Sequence, residues 1–538
     1  MHFKLMIAAA AAWYALPFAD VSGTVKDDKG APVVGAFVRF VPTSDSAGEV
    51  SGLTDAQGHY SLKLSIASGI LRREASAFSD AGPAGFRYDL RGRQLDAKKA
   101  IAGAWSLFAA NAVAGSRASA ARKKTAGAAT QTFLIQVNGK GIYPFEARSE
   151  SVADGETRDF ALKHIDAWDS ARTILRSSLA NCRYQFENRK SGRVVFLGGS
   201  ITFNPGWRDS VSNYLKKRYP QTVFDFINAG IPSVGSDMHG FRLEKDVFYK
   251  GQVDLLFYES AVNDTTNGIP SLIRTRAYEG IVRQARRRNP DIDIVYMYFA
   301  DDVFYQDVAA NKPIPLITDY EKSAVQYGIS SINLAQFVAE HYTWQTFGGD
   351  VHAGAFGQGI YTKAITGLLT ASWSDSASVV SAAAPHFTSP KPMDSLCFSQ
   401  GHFDSLPKAT LINGWKYVAD WKPDSGGTRD GFTNVPVLEA KTPGDTLKFA
   451  FTGTAIGIVI PSGWDAGMLD YAIDGKWMGS KDTWTPWSPS LYLPWTPIFA
   501  TDLTNASHVL TLVTSKNKNA NSGGYATRII RFAVNGPH

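Results

Sequence analysis

From Asp20 to about Ser65 the chain alternates apolar and polar residues, as in Val21-Ser-Gly-Thr-Val25 and Gly35-Ala-Phe-Val-Arg-Phe40. That period of two predicts strands with one buried face, and Asp28-Lys-Gly30 and Asp55-Ala-Gln-Gly58 supply turns between them. Residues 66–165 read as a linker with extra strands. Ala, Gly and Ser dominate Ala100–Ala129, and Thr132–Val137 and Asp159–Leu162 are candidate strands. Between 170 and 376 the pattern changes to five apolar, β-rich runs: Arg193–Leu197, Val223–Ile227, Val253–Tyr258, Ile292–Phe299 and Ser331–Leu334. Segments with helical spacing lie between and after them, at Trp207–Tyr219, Ile273–Arg288, Tyr320–Tyr327 and Phe356–Leu369. Strands alternating with helices predict a parallel sheet in an α/β/α layered domain, with ligands beyond the C-terminal strand ends. From 396 to 538 the pattern is again short and strand-like, in runs such as Thr446–Phe451, Ala455–Ile460 and His508–Val513, which predicts an all-β sandwich or jelly roll.

Composition narrows the classes. The chain has 538 residues, 44% of them hydrophobic and 19% charged, enough apolar material for several cores and incompatible with a wholly disordered protein. Its net charge of +6 is small for this length, and short runs such as Arg122-Lys123-Lys124 are not the dense basic stripe that nucleic acid requires. That run reads as solvated linker. The first residues predict an export signal over 1–19, with Lys4 ahead of the apolar run Leu5–Leu16 and Ala19 as a small residue for cleavage. No later stretch reaches the roughly 18 apolar residues of a membrane span. The expectation is a secreted, periplasmic or cell-surface protein without stable membrane insertion. The two cysteines, Cys182 and Cys397, can pair in an oxidising compartment but make neither a disulfide scaffold nor a zinc site. No metal motif of the H-E-x-x-H or paired-Cys kind is present.

Four blocks carry chemistry, each following one of the predicted strands. The first is Phe196-Leu-Gly-Gly-Ser200-Ile-Thr202, where two glycines allow a tight turn and the following helix start favours negative charge at the serine. Thr202 stands where a G-x-S-x-G elbow needs its second glycine. Asn228-Ala-Gly230 can present a backbone N–H to an oxyanion, and the amide of Asn263 in Glu259-Ser-Ala-Val-Asn263-Asp264 can donate to the same atom. The fourth block, Gly348-Gly-Asp350-Val-His352, supplies a base that a serine nucleophile requires, with a carboxylate two residues before it. By residue type alone, His239 belongs to a loop, Glu259 is a buried hydrogen-bonded carboxylate and Arg242 lies on a helix surface.

Together these blocks resemble the SGNH (GDSL-like) hydrolases, serine esterases on a flavodoxin-like α/β/α fold. The stretch "NAGIPSVGSDMHGFRLEKDV … ESAVND … GGDVH" looks most like the branch rich in carbohydrate esterases. The resemblance implies Ser200 as nucleophile, His352 as base, Ser200, Gly230 and Asn263 as the oxyanion hole, and no cofactor. In one respect the chain departs: the family commonly places its acid three residues before the histidine, where Gly349 stands, so Asp350 is the candidate acid one position closer. "GTVKDDKGAPVVGAFVRF … TDAQGHYSLKL" similarly resembles the carboxypeptidase-regulatory-like β-sandwich, placing such a module at 20–65.

Seven of the 13 tryptophans fall after 396. Trp484, Trp487 and Trp495, in a proline-containing segment, are the candidates to stack on a polysaccharide. The expected function is an exported esterase removing small acyl groups from such a polymer. A lipid or aryl esterase, and a non-catalytic carbohydrate-binding or adhesion protein, are the alternatives.

Overall fold

The computed structural model describes residues 18–27, 29–42, 50–65, 119–123, 130–138, 145–153, 155–162, 172–373, 382–386 and 391–537. The expected signal segment lies outside these residues up to Pro17, as does most of the expected linker. The described residues divide into two compact units, one comprising those from Phe18 to Leu162 and one those from Arg172 onward.

The N-terminal unit holds two four-stranded sheets. One orders His59–Ser65, Phe18–Asp27, Thr157–Leu162 and Ser119–Lys123, and the other orders Val50–Leu53, Phe37–Pro42, Thr130–Asn138 and Phe145–Ala153. Alternation decides which side chains are buried: Val38 and Phe40 pair across from Val137 and Ile135, and all four lie in one core with Val21, Val25, Leu62 and Phe160. Strands from beyond 119 therefore belong to both sheets. Arg122 and Lys123, expected in solvated linker, lie instead in a strand, opposite Arg158 and Thr157. Pairing across so long a separation leaves no local period to read.

In the second unit five parallel strands form the α/β sheet: β1 (Ser191–Gly198), β2 (Val223–Gly230), β3 (Leu255–Tyr258), β4 (Asp293–Tyr298) and β5 (Ser330–Asn333). Their order is β2-β1-β3-β4-β5, with the short strand Thr173–Ile174 antiparallel at the β5 edge. That is the doubly wound order in which a ligand site forms beside the first strand. Both β3 and β4 are buried along their whole length, which is why they read as continuous apolar runs. The β1–β2 register sets Gly198 beside Gly230, so two of the predicted blocks leave the sheet side by side. One helix departs from expectation. Ser236–Asp246 is helical, and His239, expected in a loop, is fully buried on it against Tyr258.

Beyond 396 the described residues are mainly β, in sheets of six, five and three strands, with one short 3-10 helix at Leu406–Lys408. Their shared core includes Leu447, Phe449, Ile456, Ile458, Leu510 and Phe532. This β part is not a detached module. Val234 and Met238 of the α/β domain lie in one apolar cluster with Trp421, Phe432, Val437, Val459, Tyr492 and Ile530. Arg276, on the helix Ser271–Arg288, ties the two parts further by donating to Asp394 (2.6 Å), the Thr501 carbonyl (2.7 Å) and Asp502 (2.8 Å). Cys182 and Cys397 are separate free thiols, both buried, so they do not pair.

Candidate active site

Ser200 begins the four-residue helix Ser200–Phe203 immediately after Gly199, at the C-terminal end of β1. Its Oγ lies 2.7 Å from His352 Nε2, although 152 residues separate the two in the chain. The turn beneath the serine is held by Glu259, whose Oε1 accepts from Gly199 N–H and Thr202 Oγ1, both at 2.7 Å. Both glycines are required by close approach: a Cβ on Gly198 would stand 2.0 Å from Glu259 Oε1, and one on Gly199 would stand 1.9 Å from Asn263 Oδ1. Thr202, where an elbow glycine was looked for, is thus occupied in bonding Glu259. The helix carbonyls are held from the next helix, with Trp207 Nε1 donating to Ile201 O (3.1 Å) and Arg208 Nε to Thr202 O (3.1 Å).

The oxyanion candidates lie around the same turn. Asn263, nearly buried on the helix Ala261–Thr266, packs its amide on Gly199, and no hydrogen bond to a described residue engages that side chain. Gly230 packs on Phe203 N, where a Cβ would stand 2.4 Å away, but its own N–H donates to Asn228 Oδ1 at 3.0 Å. Asp264 supports both loops from below by accepting from Ser236 N–H and Ser260 Oγ, each at 2.7 Å, and from the Tyr320 hydroxyl. Arg242, expected on a helix surface, is buried and donates to the Ala229 carbonyl at 2.5 Å and to Gly198 O at 3.4 Å. These carbonyls at the ends of β2 and β1 have to be satisfied away from water, and a long cationic side chain does so.

His352 reaches Ser200 from a loop that only glycine can shape, with φ of +140° at Gly348 and +66° at Gly349. A family-type acid at position 349 would have to adopt that left-handed conformation. Asp350 stands next in line, and its Oδ1 accepts from His352 N–H at 2.9 Å and lies 3.7 Å from Nδ1. The latter separation is too long for a hydrogen bond, and the Asp350 side chain is 65% exposed, so its electrostatic hold on the ring is weak. Gln358 anchors the loop, donating to Ala353 O (3.1 Å) while its Oε1 accepts from Trp207 N–H (2.8 Å). No sequence signal marked Gln358, because its role depends on two elements distant in the chain. Asp350→Asn is expected to lower kcat about tenfold, against the 10⁴ typical of a buried triad carboxylate. A loss approaching 10⁴ in steady-state assays would instead mean that the carboxylate closes on Nδ1 when substrate binds.

Burial raises the Glu259 carboxyl from 4.5 to about 7, against the lowering by its bonds to Thr202 and Gly199; Asp264 adds to the rise and Arg242 opposes it. Asp237 is also raised to about 7, by burial and by Asp264. The folded protein keeps the Glu259 proton up to about pH 7, whereas an unfolded chain loses it near 4.5. Between those values the folded state binds more protons, so stability falls as pH rises through the window. Glu259→Gln keeps an oxygen for both donors and removes the ionisation. It should therefore raise the melting temperature more above pH 7 than below 4.5, and an equal shift on both sides would refute the assignment.

Trp484, Trp487 and Trp495 lie together at and before the strand Leu491–Trp495, but all three are half-buried. Trp495 packs against the core of the β part, and Trp484 Nε1 is buried without a partner. Among the described residues the exposed indoles are Trp464 (41%) and Trp477 (59%), which the sequence did not distinguish from core tryptophans. Among the described residues, no group of three or more His, Cys, Asp or Glu is placed to hold a metal ion, and no helix is long and apolar enough to cross a membrane.

Residues 196–360 match the GDSL-like Lipase/Acylhydrolase family. No curated protein matches the chain. Two solved structures of a two-domain esterase (CEX), described as active on acetylated mannans, share the fold. One, co-crystallised with mannopentaose, has a TM-score of 0.54 and 19% identity over 69% of this chain and 98% of its own. The other has a TM-score of 0.55 and 18% identity over 69% of this chain and 99% of its own.

Proposed function

We propose that this carboxylic ester hydrolase, built around a GDSL-like acylhydrolase domain, is an exported serine esterase that removes acetyl or similar small acyl groups from a polysaccharide such as an acetylated hemicellulose. The observation that carries the reading is the 2.7 Å approach of His352 Nε2 to Ser200 Oγ at a solvent-open strand end. Ser200 attacks the ester carbonyl as His352 takes its proton. The tetrahedral oxyanion is held by Ser200 N–H, by the Asn263 amide and by Gly230 N–H once it leaves Asn228 Oδ1. His352 then returns the proton to the departing sugar hydroxyl and activates the water that releases the acid.

Two features favour a polymeric substrate. His352 is 44% exposed, so the reacting pair stands open to an extended chain. The likeness to an esterase described as active on acetylated mannans points to the same substrate class. In this reading the signal segment exports the chain, residues 20–65 are a carboxypeptidase-regulatory-like spacer, and the C-terminal β-sandwich holds the polymer near Ser200 through Trp484, Trp487 and Trp495. One aromatic–sugar contact worth about 1 kcal/mol corresponds to about fivefold in affinity. Trp484→Ala, Trp487→Ala and Trp495→Ala, assayed beside Trp477→Ala, should therefore raise KM on acetylated polysaccharide severalfold and leave turnover of a small aryl acetate unchanged. Equal losses on both substrates, in folded variants, would remove the sugar-binding role. Acetate release from a panel of acetylated hemicelluloses identifies the polymer.

A further inference from the structure

The loop Ile231–Gly235, which follows Gly230 and packs behind the nucleophile turn, is held from the C-terminal β part. Val234 O lies 3.5 Å from where a Gly199 Cβ would stand, so this loop is the back wall of the Gly199–Ser200 turn. Its far side is clamped. Val234 is buried among Trp421, Phe432 and Tyr492 of the β part. Ser233 has φ of +72°, a conformation a residue with a side chain holds only when its surroundings impose it. Two groups impose it: Asn267 Nδ2 donates to the Ser233 carbonyl at 3.0 Å, and Arg429 Nη2 donates to Ser233 Oγ at 3.0 Å.

Arg429 is an unusual group to find there. It is half-buried, its Nε is buried without a partner, and no carboxylate among the described residues forms an ion pair with it. A cation kept in that position without a counter-charge costs stability, and its side-chain hydrogen bond among the described residues goes to the loop beside the nucleophile.

We infer that Arg429 is a positioning residue through which the C-terminal β part sets the geometry of the oxyanion loop, making that part necessary for turnover of any ester and not only for holding a polymer. The inference rests on the reading of Ser200 and Gly230 given above. Arg429 touches neither the reacting serine nor its base; it acts through Ser233 on the backbone of 230–235. A shift of a fraction of an ångström in oxyanion donors impairs the transition state while leaving ground-state binding intact.

The test is a double-mutant cycle in the full chain, assayed on a small aryl acetate. Arg429→Ala and Ser233→Ala should each lower kcat about tenfold with KM within about twofold, and the double variant should lose no more than either alone. Arg429→Lys, which restores a donor, should recover part of the loss. Three results would each overturn the inference: kcat within twofold of the parent in folded Arg429→Ala, losses that multiply in the double variant, or a rise in KM at constant kcat. The last would make Arg429 a substrate contact. A purely structural role is recognised by a melting temperature that falls with kcat in Arg429→Ala and is not recovered by lysine. Absence of esterase activity in the parent protein would count against the reading of Ser200 and not against the Arg429–Ser233 contact.

Discussion

Replacing His352 by alanine should lower kcat on any ester by about 10⁵–10⁶ while leaving the fold intact. The serine hydroxyl is a poor nucleophile without a proton acceptor, and the structure places His352 Nε2 at 2.7 Å from Ser200 Oγ, where it can take the proton. The side chain is 44% exposed, so its removal leaves no buried cavity and the melting temperature should hardly move. KM should change little, because the imidazole contributes to the transition state and not to substrate docking. A folded His352→Ala protein with near-normal turnover would exclude the proposed mechanism.

The second large effect is expected at Asn263. Loss of one oxyanion donor costs about 10²–10³ in kcat, and Asn263 is the donor whose amide no other described group engages. Gly230 differs in this respect, since its N–H is already bonded to Asn228 Oδ1. Asn263→Ala should therefore lower kcat about 10²-fold at unchanged KM, and its loss should be larger than that of Asn228→Ala, which frees the Gly230 N–H. A kcat within about threefold of the parent would place the oxyanion elsewhere.

These expectations rest on a site that was largely legible in the chain, because its parts follow rules of short range. Apolar runs between helical segments marked β1 to β5, and the Ser200, Gly230 and Asn263 blocks leave the C-terminal ends of β1, β2 and β3, where a parallel sheet delivers its loops, while the His352 block follows β5 after two intervening helices. The helix Trp207–Arg218 and the helix Ala355–Ser372 lie within a few residues of their predicted bounds for the same reason.

What escaped was decided by contacts between distant segments. Ser236–His239 read as a loop because Gly235, Ser236 and Asp237 are turn residues locally, although the helix in fact starts at Ser236. Gly240 is small to let Phe398 pack on the helix, at 3.1 Å from where its Cβ would stand. Arg242 has the composition of a surface position, and only the fold shows that it caps carbonyls of β1 and β2. Ser119–Lys123 lies in an Ala- and Ser-rich stretch with no period of its own, and becomes a strand by pairing with Thr157–Leu162. The same limit applies to the tryptophans. Trp464 and Trp477 are exposed and Trp415 and Trp421 are buried, yet nothing in their flanking residues separates them.

The close packing of the β part on the α/β domain also changes how substrate binding is tested. Deleting residues after about Leu396 would expose Val234, Met238 and Phe241 and remove the Thr501 and Asp502 partners of Arg276, so a truncated chain would lose activity through instability. Point changes at exposed or half-buried positions avoid this.

The most direct measurement is labelling of the full-length protein with a fluorophosphonate, with the modified residue mapped by mass spectrometry. A single adduct on Ser200, absent in Ser200→Ala and formed far more slowly in His352→Ala, is the predicted result. A parent protein that takes no label, or takes it at another residue, would contradict the account.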